Sequence, residues 1–466
     1  MHRLRSMSLR NLAILTGAVL SPAVVACSGT PGGSSPAQGA STLTQATSGL
    51  ARDPASGISS DALNGAVAAN NTFAIDLYAH LLAGQPNPNA GNMLIAPVSA
   101  SLALTMTYAG AVGQTATEMA AALHFGDASA SIFDGQNALS QALASRAARA
   151  LQMAQQNASM TQMAAPSADD FALDVVNSVW GEQSYTWNTP FLDILAKSYG
   201  TGVYLEDFVH SFDAARVTIN DWVATKTADK ILNLLPPASV DDLTRIVLVN
   251  AIHLKLPWFT PFDASLTTTG TFTRSDATTV SAIFMNSANE LSYADDGFAQ
   301  LVDIPLEGNV SVIVALPDND LPTYEANLTS GAASISTPLQ DAIVTLSLPR
   351  FTFTSDSFSL ATALQAMGMV QAFNLATADF TGMVTSPPDG ERLHLEDVLQ
   401  KTMIAVQETG VEAAAATAVV GSAGGYPPMP VTVNVNRPFV IAIIDDQTNA
   451  ILFLGHIADP TASGGP

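Results

Sequence analysis

The 466-residue chain is 48% apolar and only 12% charged, enough for a large core and too apolar for a disordered protein. Its formal charge of -23 sets it against nucleic acid, heparin-like polyanions and anionic lipid headgroups, and its single cysteine excludes an intrachain disulfide. Length alone allows two or three domains or one large mixed fold.

Arg3, Arg5 and Arg10 precede an apolar run over 12–26. The run is too short, and too broken by Gly17 and Pro22, to span a membrane as a helix, and it has the layout of a secretory leader. It ends Val24-Val25-Ala26-Cys27, which resembles a bacterial lipobox. Residues 1–26 are therefore expected to be removed and Cys27 to carry lipid. Ser28 follows, with no Asp to signal inner-membrane retention, so the expected address is the outer membrane or cell surface, or the extracellular space. Residues 27–68 are rich in Gly, Ser, Ala and Pro and are expected to form a flexible tether. A folded domain over 69–460 and a short tail over 461–466 complete the division.

Within the domain, apolar spacing over 73–82 predicts a helix. Residues 92–99 are followed by an apolar run from Leu102 that continues through Gly110 and Gly113 to Met119. Thr115, ahead of Thr117 and Glu118, predicts a helix cap. Another helix is expected over 139–153, with Arg146 and Arg149 its only basic residues. His80 and His124 have no partners at metal-ligand spacing, so structural roles and no metal are expected. A strand at 176–180 precedes a helix that runs into an extended exit over 220–234, and a central strand over 244–258 ends in Trp258. Strands flank a Gly308-Asn309 turn, and 344–351 reads as another strand. A helix over 360–369 closes on Gly368. Residues 436–444 and 451–457 predict a terminal strand pair.

Residues 403–406 read as strand, and 408–420 follow: Glu408-Thr409-Gly410-Val411-Glu412-Ala413-Ala414-Ala415-Ala416-Thr417-Ala418-Val419-Val420. Taken alone, 412–418 has good helix-forming composition. At period two, Val411, Ala413, Ala415, Thr417 and Val419 line one face, with Glu412, Ala414, Ala416 and Ala418 on the other. Alanine is poor in a strand that must hold itself in a sheet. It suits a strand that must slide between two strands already in place, and Gly410 supplies a pivot.

The series Glu408-x-Gly410-x-Glu412-Ala-Ala-Ala-Ala-Thr417 resembles the hinge of an inhibitory serpin's reactive-centre loop. The segments described above follow the serpin order from about residue 69 to Pro460. The resemblance implies an α+β fold, with helices packed around three β-sheets and the loop, about 408–430, displayed as bait. It implies an irreversible, suicide-substrate inhibitor: a serine protease cuts the loop, and the segment from Gly410 enters the main sheet while the acyl-enzyme is still attached. Papain-like cysteine proteases are a further implied target class. Trp258 is implied to pack where insertion begins.

Two departures from the family bear on the control of sheet opening. Ala96-Pro97-Val98-Ser99 replaces the usual Ser-Pro-x-Ser, and Gln400 replaces a histidine. The controlling cluster would be rebuilt around Ser99, Asn250 and Gln400. Gln donates and accepts as His does, so control is expected to survive without its pH sensitivity. Val411 stands where Thr is commonest. Counting forward from Glu408, and aligning Tyr426-Pro427-Pro428 with the family's Pro-Pro, both place the reactive bond at Gly424-Gly425, with Ala423 and Tyr426 as neighbouring candidates. Small residues there suit elastase-like or subtilisin-like enzymes. Recognition of Tyr426 would suit a chymotrypsin-like one, although Pro427 opposes a cut there. No Lys or Arg lies between Lys401 and Arg437, which disfavours trypsin-like targets.

Arg146 and Arg149 are too few for the glycosaminoglycan-binding helix of some serpins. No Gly-x-Ser-x-Gly, His-Glu-x-x-His or phosphate-loop motif is present, so neither an enzyme nor a cofactor is expected. The expected partner is the target protease, met by a monomer that touches membrane only through its lipid. The competing reading is a non-inhibitory serpin-fold lipoprotein used as a surface binding protein, against which the Ala-rich hinge speaks.

Overall fold

A computed structural model describes residues 43–85, 91–126, 131–161, 165–388, 390–412 and 430–462. Its helices begin where the sequence supplies partners for their free N–H groups. Ser59 accepts from the Ala62 N–H ahead of Ser60–Gly84, Asp207 from His210 ahead of Phe208–Lys226, and Asp320 from Thr323 ahead of Leu321–Thr329. Pro97 opens the helix Pro97–Tyr108, whose N-terminal turns are so rich in Ser and Ala that it lies buried almost throughout. The helix expected over 139–153 is longer and runs Ile132–Thr161. Thr115 does not cap a helix. It lies in the first turn of Gly113–Ala122, where its hydroxyl accepts from the Asp379 N–H at 2.9 Å.

The first sheet runs in the order Gln45–Ala46, Val203–Glu206, Ala172–Glu182, Ile246–Pro257, Gly410–Val411, Met403–Gln407 and Phe351–Thr354. The second runs Val431–Asn434, Gln340–Pro349, Thr279–Asp295, Ala299–Leu306, Val310–Pro317, Phe439–Asp445, Ala450–Ile457 and Met93–Ile95. The α+β expectation holds, but the three expected sheets are two continuous ladders among the described residues. The 17-residue strand Thr279–Asp295 is the cause: it pairs with Gln340–Pro349 along most of its length, and its C-terminal end also pairs with Ala299–Leu306. One long strand therefore fuses two sheets that a shorter one would leave apart.

Strand Ile246–Pro257 separates two cores because side chains alternate across it. Ile252, Leu254 and Leu256 face the core between the sheets, with Trp258, Phe272, Phe353 and Phe439. Val247, Val249 and Ala251 face the other way and pack with Trp180, Ile219 and Val223 beneath the helix Phe208–Lys226.

The described part of the segment expected as a tether is folded rather than free. Gln45–Ala46 pairs with the edge strand Val203–Glu206, and the Leu205 N–H donates to the Thr44 carbonyl at 2.9 Å. Arg52 Nε donates to Asn137 Oδ1 at 2.9 Å. The approach is close enough that a Cβ at Gly202 would lie 2.1 Å from the Ala46 carbonyl oxygen. Pairing of this kind covers a sheet edge that would otherwise present unpaired backbone groups.

Candidate functional site

The two sides of Ile246–Pro257 are unequal. Toward Ala172–Glu182 it pairs continuously, from Lys255↔Ala172 to Ile246↔Gly181. On the other side it pairs, among the described residues, at two points. Val249 and Asn250 meet Leu399 and Gln400 in parallel, and Leu256 and Pro257 meet Val411 and Gly410 antiparallel. Between those points, residues 251–255 have no strand partner on that side among the described residues.

The lower closure is a neutral amide cluster. Gln400, fully buried, accepts from the Ala96 N–H at 2.9 Å and donates from Nε2 to the Ala96 carbonyl at 3.1 Å and to Asn250 Oδ1 at 2.9 Å. Asn250 Nδ2 donates to the Leu399 carbonyl at 2.8 Å. Ser99 Oγ donates to the Ala251 carbonyl at 3.1 Å and lies 2.9 Å from the Asn177 amide. Ser99, Asn250 and Gln400 thus gather where helix Pro97–Tyr108 passes beneath the sheet. Asn177 and the Ala96 peptide belong to the same cluster and were missed in the sequence. Asn177 offered a signal, since it stands opposite Asn250 in register.

The upper closure is built on residues 407–412. Trp258 Nε1 donates to the Gln407 carbonyl at 2.7 Å, its backbone N–H to the Thr409 carbonyl at 3.0 Å, and the Phe262 N–H to the Glu408 carbonyl at 2.9 Å. Trp258 therefore packs against the entrance of the gap. Glu408 accepts from Thr267 Oγ1 at 3.0 Å and lies 3.6 Å from Arg350 Nη1. Gly410, at φ 155°, and Val411 form a two-residue strand between Leu256-Pro257 and Val406-Gln407. Val411 is fully buried in the core between the sheets.

Glu412 stands on the face opposite Val411, as period two requires, but that face is not solvent. Its carboxylate lies 2.7 Å from His253 Nε2 and 2.6 Å from Lys230 Nζ. Its backbone turns out of the sheet at φ 56°, a left-handed conformation costing an L-residue about 1–2 kcal/mol. The hydrogen bond and ion pair of its side chain, together with its N–H donated to the Ala405 carbonyl at 2.7 Å, offset that cost. Neither His253 nor Lys230 was singled out in the sequence. Strand parity places His253 on the face of Val249 and Ala251, away from Asn250, and that was the available signal.

The hinge positions Ala413, Ala414, Ala415, Ala416 and Thr417, the reactive-bond candidates Ala423, Gly424, Gly425 and Tyr426, and Cys27 lie outside the described residues. His80 and His124 both bond Asp76 rather than a metal-like cluster, and no group of metal-ligating side chains occurs among the described residues.

Residues 68–460 match the family model described as Serpin (serine protease inhibitor). Human Serpin B4 is 33% identical over 406 residues, covering 85% of this chain and 100% of that protein. Human leukocyte elastase inhibitor is 31% identical over 405 residues, covering 84% and 98%. The crystal structure of the thermophilic serpin tengpin in its native state matches with a TM-score of 0.71 and 26% identity, over 88% of this chain and 96% of that one.

Proposed function

Since the chain belongs to the serpin family, we propose that it is not an enzyme but an irreversible, suicide-substrate inhibitor of serine proteases. The observation that carries this reading is the gap beside residues 251–255, with Gly410–Val411 docked at its mouth. The protease serine attacks the carbonyl of the bait bond, the amine of the next residue leaves, and an acyl-enzyme remains on the loop. The segment beyond Val411 is then free to pair with Ile246–Pro257 on one side and Met403–Gln407 on the other. It gains backbone hydrogen bonds and buries the face of Ala413, Ala415, Thr417 and Val419. Carried along by its ester, the protease is distorted before water can release it. The intact form is accordingly held by a barrier rather than by its free-energy minimum.

The residues Ala423, Gly424 and Gly425 favour an elastase-like or subtilisin-like target, and the absence of Lys and Arg between Lys401 and Arg437 opposes a trypsin-like one. The leader, Cys27 and the following Gly/Ser-rich segment support export and a lipid anchor at the outer membrane or cell surface.

The test is to express residues 28–466, mix the protein separately with elastase, subtilisin, chymotrypsin and papain, and run denaturing gels with mass spectrometry of the released peptide. The expected result is a denaturant-stable complex with a serine protease and a released peptide beginning at or beside Gly425. Loop cleavage without a complex would overturn the inhibitory reading in favour of a surface binding protein.

A further inference from the structure

His253 lies on the face of Ile246–Pro257 that the helix Phe208–Lys226 covers, and it points at the hinge. Its side chain and that of Glu412 are each 5% exposed and meet at 2.7 Å. Three further charged groups bear on this pair or lie near it. Lys230, from the turn after that helix, reaches the other Glu412 oxygen at 2.6 Å. Asp174, exposed on the strand Ala172–Glu182, lies 3.4 Å from His253 Nδ1. Lys255, two residues along from His253, is turned away to the Asp169 carbonyl and Asp170. The strand on the far side of the hinge, Met403–Gln407, brings no titratable side chain.

We infer that His253 is a pH-sensitive catch on the hinge: with Lys230, its charged imidazolium holds Glu412 in the turned-out conformation and delays entry of the loop past Val411. This rests on the inhibitory reading and adds a control to it. Extending the inserted strand requires Glu412 to exchange φ 56° for an extended value. The contact with His253 is made from the turned-out backbone, so that change disturbs it. Burial alone would lower the His253 pKa, but the Asp174 and Glu412 carboxylates beside it outweigh burial and hold it above its ordinary value. Burial would likewise raise Glu412, while His253 and Lys230 hold it below the usual carboxylate range. A group with a raised pKa contributes fully while it is protonated and is lost as pH rises through that raised value. The catch is therefore complete on the acid side of the His253 titration and loosens on the alkaline side, where Lys230 alone remains on Glu412. Gln400, the neutral residue of the lower closure, has no such dependence.

The test uses the full chain with Cys27→Ser and a fluorophore on Ala418→Cys, which shares the parity of Glu412 in the period-two pattern. Stopped-flow mixing with saturating subtilisin across pH 5–9 reads loop entry, and mass spectrometry verifies the cut. The expected result is entry that accelerates about tenfold across the His253 titration, the scale of one charge-assisted hydrogen bond. His253→Gln is expected to flatten that step. Asp174→Asn, outside the hinge, is expected to move it to lower pH. Entry that ignores pH in the parent, or a step that survives in His253→Gln, would overturn the catch alone. A loop that is cut but never enters would overturn the inhibitory reading and the catch together.

Discussion

The two sides of strand Ile246–Pro257 differ in how their backbone groups are satisfied. Toward Ala172–Glu182 the ladder is continuous and carries part of three hydrophobic clusters. Toward Met403–Gln407 the same strand is closed, among the described residues, by Leu399 and Gln400 below and by Gly410–Val411 above. A continuous ladder on one side of the strand and an interrupted one on the other, among the described residues, is the asymmetry on which the proposed insertion rests. The two closures differ in turn. The lower is built of amides, which keep their hydrogen bonds at any physiological pH. The upper includes an acid, an imidazole and an ammonium group, whose hold changes with protonation.

The largest effect is expected from placing a charge on the inserting face. Ala413→Arg would require a guanidinium to enter the core between the sheets if the loop inserts as proposed, a burial costing on the order of several kcal/mol. The loop should be cut at a normal rate, while denaturing gels show no trapped protease and calorimetry shows none of the rise in melting temperature expected on cleavage of the parent. Gln400→Ala comes next. It removes the partner of the buried Ala96 N–H and of Asn250 Oδ1, and should lower the unfolding free energy of the intact protein by about 2–4 kcal/mol in urea titrations. Because no proton is involved, that loss should be the same at pH 5 and pH 8. Glu408→Gln should do least. The Thr267 bond survives the exchange, and the partner lost is a partly exposed Arg350 at 3.6 Å, worth at most about 0.5 kcal/mol by the same titration.

Much of this was legible in the residues. The alternation through Val411 and Glu412 separates the core-facing side chain from its opposite. Gln400 could be assigned to the lower closure through the serpin resemblance, which puts a histidine at its position, and its amide can donate and accept as that histidine does. The chemistry of the upper closure could not be read the same way, because Lys230, His253 and Glu412 are far apart in the chain and meet only when the helix Phe208–Lys226 settles on the sheet. The start of the fold was misread for a compositional reason. Residues 43–58 have few large apolar side chains, and they attach through backbone pairing at Gln45–Ala46 and through Arg52, neither of which leaves a hydrophobic pattern. The fusion of two sheets by Thr279–Asp295 was hidden because its length is set by the partners on either side.

The most direct test of the account is amide hydrogen exchange over residues 251–255 before and after the loop is cut. The N–H groups that point toward Ala172–Glu182 should be protected throughout. Those that point into the gap should exchange in the intact protein and become as protected as the sheet core once the loop has been cleaved. Unchanged exchange in the cleaved protein would mean that the unfinished edge receives no strand, and the proposed mechanism would be wrong.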